Sequence, residues 1–343
     1  MNKPLKLGLI GCGVIVQNAH LPGLLEIPGL VEVAAVADPF ETNRNLVGDA
    51  AEVDASQRYA DYRDMLASAD LDVVSIATPH HLHYEQVVAA AQAGVAIISE
   101  KPMATSLEEA DAILEAAKNV PYAVVHNFLF SPATQAARDI LATGDFGTPI
   151  FGRSQSMIFK SGNQTADNWR NQKAAGGGAI NDTCYHEIYL VEEMVGSPVR
   201  YVEARVQTKY FDLDIDDLVV LLLEHENGVT STVATAWCIP AQESVFCEVH
   251  TPVGALHVVA RGRALRRYLR AERQWEEVDL PAMANMTPEA VGRAGHAGYF
   301  AATMKALADG TDLPVPGAKA RHNLAIIAAA RRATEERRAI EVE

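Results

Sequence analysis

The sequence predicts two kinds of fold in series: an α/β half on a parallel sheet, then an α+β half built on an open, mainly antiparallel sheet. Three observations support this. Short apolar runs alternate with helix-like stretches through the first third, the grammar of βαβ units. From about residue 199, strand-like runs follow one another with little helix between them. Asn227-Gly228 joins two of those runs, and that dipeptide is the strongest short hairpin signal. A chain of 343 residues is also long for one core, so domains 1–122 and 123–343 are expected. The C-terminal helices could pack back on the first domain.

The first apolar run, residues 5–10, stops at Gly11. Runs at 31–37, 72–77, 95–99 and 123–125 stop at Asp38-Pro39, Thr78-Pro79, Glu100-Lys101-Pro102 and His126-Asn127. Continuous apolar runs of this length suit strands buried on both faces. Between them, residues 84–93 form an Ala-rich helix ending at Gly94, a good helix stop. Ser106 and Glu109 read as a capping box, the hydroxyl reaching the third helical amide and the carboxylate reaching back. Later come a helix at 131–142, a strand at 149–159, a polar loop to 175, and a helix opened by Gly176-Gly177-Gly178 that runs to 195. Strands at 199–208, 218–226, 229–237, 244–250 and 255–259 follow, then helices at 296–308 and 318–335.

The formal charge of -15 argues against nucleic acid and against an anionic membrane surface, since both need clustered Lys and Arg. Cys12, Cys184, Cys238 and Cys247 form no C-x-x-C pair, so reduced thiols and a cytoplasmic location are expected. Leu9-Ile10-Gly11-Cys12 looks like a lipoprotein cleavage box, but the run before it is shorter than the ~7–15 residues of a signal core. No stretch reaches the ~18 apolar residues of a membrane span. His80, His81 and His83 crowd together, as do Asp182, Cys184, His186 and Glu187. Neither group has metal-ligand spacing, and no metal is expected.

Gly11-Cys12-Gly13-Val14-Ile15-Val16 follows a strand and opens a helix, the setting a dinucleotide fingerprint requires. Gly11 permits the tight turn, and Gly13 lets the backbone approach a pyrophosphate at the helix N-terminus. Val16 stands where Gly or Ala is usual, which implies looser helix–strand packing. Asp38 ends the second strand, where an acid accepts hydrogen bonds from the adenosine ribose. Its carboxylate repels a 2′-phosphate and Pro39 offers no amide to bind one, so NAD is favoured over NADP. Arg44 is the counter-argument, and a helix N-cap is the plainer role for Asp38.

Glu100-Lys101-Pro102 ends a parallel strand, and ligands of open parallel sheets bind beyond those ends. A surface position is the default for a lysine, but the flanking Glu and Pro at a strand terminus favour function. Asp182 and His186 are four apart on a helix that begins with three glycines, so they share a face. A carboxylate beside an imidazole raises its pKa and orients it, as a general acid/base needs. Spacing alone more often means a surface pair.

Taken in order, Gly11-x-Gly13, Asp38, Thr78-Pro79-x-x-x-His83, Glu100-Lys101-Pro102, Trp169-Arg170 and Gly-Gly-Gly-x-x-x-Asp182-x-x-x-His186 resemble the Gfo/Idh/MocA oxidoreductases. The resemblance spans nearly the whole chain and implies a Rossmann NAD-binding domain. It implies hydride transfer between nicotinamide and a hydroxyl or carbonyl carbon of a sugar, sugar derivative or cyclitol, by a homodimer or homotetramer. Catalysis would fall to Lys101, Asp182 and His186: Lys101 stabilises charge on the reacting oxygen, His186 moves the proton, Asp182 orients substrate and His186. The cofactor would meet Gly11, Gly13, Val14, Ile15, Asp38, Thr78, Pro79, His80, His83, Glu100, Lys101, Asn127, Trp169 and Arg170. Glu100 would hold the nicotinamide ribose. The substrate would meet Lys101, His126, Asn168, Trp169, Arg170, Asp182, Tyr185 and His186, with specificity in the loop 160–173. His80 replaces a common Asn, Cys184 and Tyr185 replace smaller residues, and Leu129 stands where arginine is frequent. Two other activities belong to the same pattern: an NAD-dependent glycosidase working by transient oxidation, and a non-catalytic NAD or sugar sensor. Aryl-glycoside cleavage without net NADH would mark the first, and a silent nicotinamide signal across sugars the second.

Overall fold

The computed structural model describes residues 3–160, 165–240, 245–284 and 286–343. The chain divides into two compact units, Met1–Asn127 with His296–Arg321, and Phe128–Gly295 with His322–Glu343.

The first unit holds β1 (Leu5–Ile10), β2 (Val31–Ala37), β3 (Arg58–Tyr59), β4 (Val73–Ile76), β5 (Ala96–Ser99) and β6 (Tyr122–Val124). They form one parallel sheet in the order β3-β2-β1-β4-β5-β6, so the direction of winding reverses between β1 and β4. That switch point is where open parallel sheets take ligands. The strands are apolar runs with no alternation because both faces are covered; Leu7, Leu9, Val74 and Ile98 are all fully buried. Helices α1 (Leu21–Leu25), α2 (Glu41–Ala50), α3 (Tyr62–Ser68), α4 (His83–Ala93) and α5 (Leu107–Ala116) connect them. Ser106 caps α5 as expected, accepting from the Glu109 amide at 3.1 Å. The return arm lands one residue early: Glu109 accepts from the amide and hydroxyl of Thr105, at 2.9 and 2.8 Å. β6 pairs with β5, and the later segment joins the same unit through the Val124 amide on the Val315 carbonyl at 3.1 Å.

The second unit contains α6 (Pro132–Ala142), β7 (Phe151–Met157), α7 (Tyr185–Val195), β8 (Val199–Gln207), β9 (Leu218–His225), β10 (Thr230–Ala236), β11 (Val245–His250), β12 (Gly254–Val259), β13 (Ala264–Leu269), β14 (Gln274–Val278) and β15 (Ile340–Glu341). These strands make one sheet, β14-β13-β12-β11-β7-β10-β9-β8-β15. Among the described residues β7 and β10 run parallel and the other pairs antiparallel. Ser244, the expected start of one strand, lies outside the described residues. α7 packs against β7, β10 and β11, and β9 alternates buried and exposed side chains along its length, as a sheet covered on one face should. Helices α8 (Pro288–Asp309) and α9 (Gly317–Glu336) close the chain. No helix among the described residues is long and apolar enough to cross a membrane.

The helical run that carries Asp182 and His186 starts at an acid from the β8–β9 loop. Asp216 accepts the Ile180 amide on Oδ2 at 2.7 Å, and its carbonyl accepts the Ala179 amide at 2.9 Å. A carboxylate at a helix N-terminus satisfies free amides and opposes the dipole. Burial pushes the Asp216 carboxyl up, against the pull of Arg331 and the Ile180 amide. Gly178 makes this approach possible: its φ is +106° and a Cβ there would sit 2.6 Å from Asp216 Oδ1. The glycines therefore admit the protein's own acid. Gly178→Ala is expected to cost about 2–3 kcal/mol through strain and a displaced cap, read as a lower urea midpoint at unchanged slope.

Candidate active site

At the end of β1 the chain turns through Gly11, whose φ is +90° and whose Cβ would lie 2.7 Å from the Ala77 carbonyl oxygen. Only glycine fits that turn. Gly13 differs, because a Cβ there would meet nothing within 4 Å. The protein itself makes no demand for glycine at Gly13; a group approaching from outside would. The next residue, Val14, is 73% exposed where the helix starts, and the helix widens into a π-turn at Val16–His20, beginning at the bulky third motif position.

Asp38 ties this turn to β2. Its Oδ2 accepts the Cys12 amide at 2.7 Å and its Oδ1 the Phe40 amide at 2.8 Å. Each oxygen has a second lone pair, so the same carboxylate can also receive ribose hydroxyls. The N-cap of α2 is Phe40, without a side-chain bond, so the capping role expected of Asp38 becomes a local turn just before the helix. Arg44 donates to the Asp38 carbonyl at 2.6 Å. Burial, with the Asp38 carboxylate nearby, pushes the Cys12 thiol up to about 12. The glycine cradle, the exposed helix start and an acid at the end of β2 fit a dinucleotide.

Beyond β4, the Thr78 hydroxyl donates to Gln86 at 2.6 Å, Pro79 follows, and His80 begins a short turn in a buried position. His83 stands apart from the expected cofactor set. It is fully buried, with Nδ1 2.8 Å from the Pro102 carbonyl and Nε2 2.9 Å from the Thr78 carbonyl. It clamps the β4 turn to the Glu100-Lys101-Pro102 turn. Lys101 is 9% exposed and its peptide bond to Pro102 is cis. Glu100 accepts from its own neighbour, the Lys101 amide, at 3.1 Å and sits 2.7 Å from His20 Nε2. Burial alone would raise the Glu100 carboxyl; the His20 hydrogen bond, with His296 and Lys101 nearby, outweighs it and holds the group at about 2. Asn127 is buried after β6. His126, expected at the substrate, is fully buried, and its imidazole is pushed well below the usual range by burial and by the Lys319 ammonium.

These histidines make the first unit acid-sensitive. Burial lowers His83 and His126, and takes His296 to about 4. Each is neutral when folded and titrates near ~6.5 when unfolded. The unfolded chain thus binds more protons between those values, so this stability is complete above ~6.5 and drains away as pH falls. Urea midpoints should drop steadily from about pH 7 to 4.5, and His296→Gln should flatten that slope. A flat wild-type profile across this window contradicts the assignment.

In the second unit the Gly-Gly-Gly run leads into a π-turn, Ile180–Cys184, and then α7. Asp182 gathers two cations: Lys160 Nζ at 3.2 Å and Arg170 Nε at 3.8 Å. The Lys160 ammonium also lies 3.3 Å over the Trp237 ring, and Trp237 donates to the Thr183 hydroxyl at 2.8 Å. Arg170 stacks on Trp169 at 4.3 Å, and Asn168 caps that short turn by accepting the Arg170 amide at 3.1 Å. Of the loop 160–173, residues 161–164 lie outside the described residues. His186 has Nδ1 2.9 Å from the Tyr189 hydroxyl and its ring edge-on to Phe128, centroids 5.0 Å apart. Tyr185, expected at the substrate, is fully buried, and its carbonyl accepts from Asn323 at 3.2 Å. Lys160 belongs to the loop 160–173 expected to set specificity; Trp237, Tyr189 and Phe128 carry no signal in the sequence, since each comes near the motif only through the sheet or the helical turn.

Two groups among the described residues bring three possible metal-ligand atoms within 4.8 Å of one another: His20 with Glu100 and His296, and Glu248 with His250 and His257. In the second, Arg153 already engages both Glu248 oxygens, at 2.9 and 3.1 Å, which neutralises the charge a cation would need.

The chain matches the NAD-binding Rossmann-fold model of the Gfo/Idh/MocA oxidoreductases over residues 5–128 and that family's C-terminal domain model over residues 134–257. It is 33% identical over 252 residues to D-apiose dehydrogenase of Paraburkholderia graminis, spanning 71% of this chain and 64% of that protein. It is 30% identical over 285 residues to levoglucosan dehydrogenase of Pseudarthrobacter phenanthrenivorans, spanning 74% of this chain and 73% of that protein. Its fold is similar to that of a levoglucosan dehydrogenase solved with NADH and levoglucosan, with a TM-score of 0.88 and 24% identity across 99% of both chains.

Proposed function

Because the chain belongs to the Gfo/Idh/MocA family of oxidoreductases, we propose that it is an NAD-dependent dehydrogenase or reductase acting on a CH–OH or carbonyl carbon of a small polyhydroxylated substrate. A sugar, a sugar derivative or a cyclitol fits that description, and relatives named for D-apiose and levoglucosan support it. The observation that carries the reading is Lys101, a nearly buried ammonium at the carboxyl end of β5, in the same sheet as the glycine turn. An ammonium at that position can also stabilise charge that develops on a bound substrate.

NAD, held by the Gly11–Gly13 turn and Asp38, supplies hydride acceptance and donation when bound. The chain's own residues do the rest. His186 takes the hydroxyl proton at Nε2 during oxidation and returns it during reduction. Lys101 donates a hydrogen bond to the reacting oxygen and stabilises the charge that builds there. Asp182, held between Lys160 and Arg170, accepts from a neighbouring substrate hydroxyl. Trp169 and Arg170 wall the substrate. The names of the relatives favour net redox turnover over the glycosidase and sensor readings. Association into a dimer or tetramer through the outer face of the second sheet fits the half-exposed Val220 and Leu222 there.

The test is a panel of aldoses, anhydrosugars, polyols and inositols with NAD and with NADP, followed by nicotinamide absorbance. Turnover of at least one class with preference for NAD is the expected result. No absorbance change with any of them, in protein that binds NADH, defeats the proposal.

A further inference from the structure

We propose that Tyr189 is the positioning residue for His186, fixing both the plane of its ring and the nitrogen that carries its proton; this rests on His186 being the acid/base. The two residues are three apart in α7 and so share a face. The Tyr189 hydroxyl lies 2.9 Å from His186 Nδ1 and accepts the Phe128 amide at 3.2 Å. Tyr189 is buried, so its hydroxyl is held in place. A phenol has one hydrogen and two lone pairs. With the Phe128 amide on one lone pair, the other is there to accept from Nδ1–H. Nδ1 then carries the proton of the neutral ring and leaves Nε2, the nitrogen that faces substrate in the proposed reaction, open to take one. When the ring is doubly protonated the hydroxyl goes on accepting from Nδ1. Phe128 fixes the ring from a second side, edge-on at 5.0 Å.

A phenol in this place differs chemically from a carboxylate. A carboxylate at Nδ1 favours imidazolium strongly; a hydroxyl serves both protonation states. Among the described residues, charged groups near His186 include Asp182 on its own helical run, paired with Lys160 and Arg170, and Arg261 of the β12–β13 turn, which lies 5.2 Å from the Phe128 ring centre. Tyr185 is the other titratable neighbour, its ring 6.5 Å away.

Three variants and one spectrum test this. His186→Ala checks the premise: if it turns over normally, the acid/base reading itself falls. With His186→Ala inactive, Tyr189→Phe should lower kcat roughly 10- to 100-fold through a misplaced ring, with NADH affinity unchanged. Tyr189→Asp should recover part of that loss and move the histidine limb of the pH profile up by about one unit or more relative to wild type. Nitrogen NMR of histidine-labelled wild-type protein should show His186 protonated on Nδ1 in its neutral form, a readout independent of turnover. Wild-type kcat and pH profile in Tyr189→Phe, or a neutral His186 protonated on Nε2 in the wild type, would overturn the proposal.

Discussion

Replacing His186 by alanine is expected to lower kcat by about 10²- to 10⁴-fold, the range a positioned acid/base contributes. NAD affinity should stay within about twofold, because the imidazole lies outside the glycine turn and Asp38. The side chain is only partly buried, and its partner Tyr189 keeps its bond to the Phe128 amide, so the fold should tolerate the loss. Steady-state kinetics with the best sugar, together with NADH fluorescence titration, separate the two quantities. A variant with near-wild-type kcat removes His186 from the reaction.

Lys101→Met should be nearly as damaging, at about 10²- to 10³-fold in kcat/KM, which is the scale for removing one donor from a developing oxyanion. Methionine keeps most of the buried volume and removes only the charge. The loss should fall on kcat more than on KM if the ammonium acts mainly on charge that appears during reaction. A loss confined to KM would make Lys101 a binding residue only.

Much of the first unit is legible in the sequence because both faces of its sheet are covered. Continuous apolar runs then mark the strands, and β1 and β2 fall at 5–10 and 31–37 as expected. The strand ends carry the turns at Gly11, Asp38, Thr78 and Lys101, so those positions are legible too. β13 and β14 were not expected, since ALRRYL and QWEEV carry charged residues through their length and little apolar pattern. Burial also hides roles. His83 has the sequence context of a cofactor contact, yet both ring nitrogens face main-chain carbonyls. His126 and Tyr185 are likewise fully buried. Spacing places Asp182 and His186 on one helical face, and the run that carries them includes a π-turn at Ile180–Cys184. Asp182 turns to Lys160 and Arg170, while Tyr189 holds the His186 ring. No local pattern encodes the arrival of Lys160 or Phe128; each depends on the sheet or the loop that delivers it.

The proposed function requires both the Lys101 ammonium and the His186 imidazole in one reaction. A double-mutant cycle on kcat/KM with Lys101→Met and His186→Ala measures that directly. The double variant should be within about tenfold of the worse single variant, because either loss alone disables a shared step. Losses that simply multiply would mean the two groups act independently, and would contradict it.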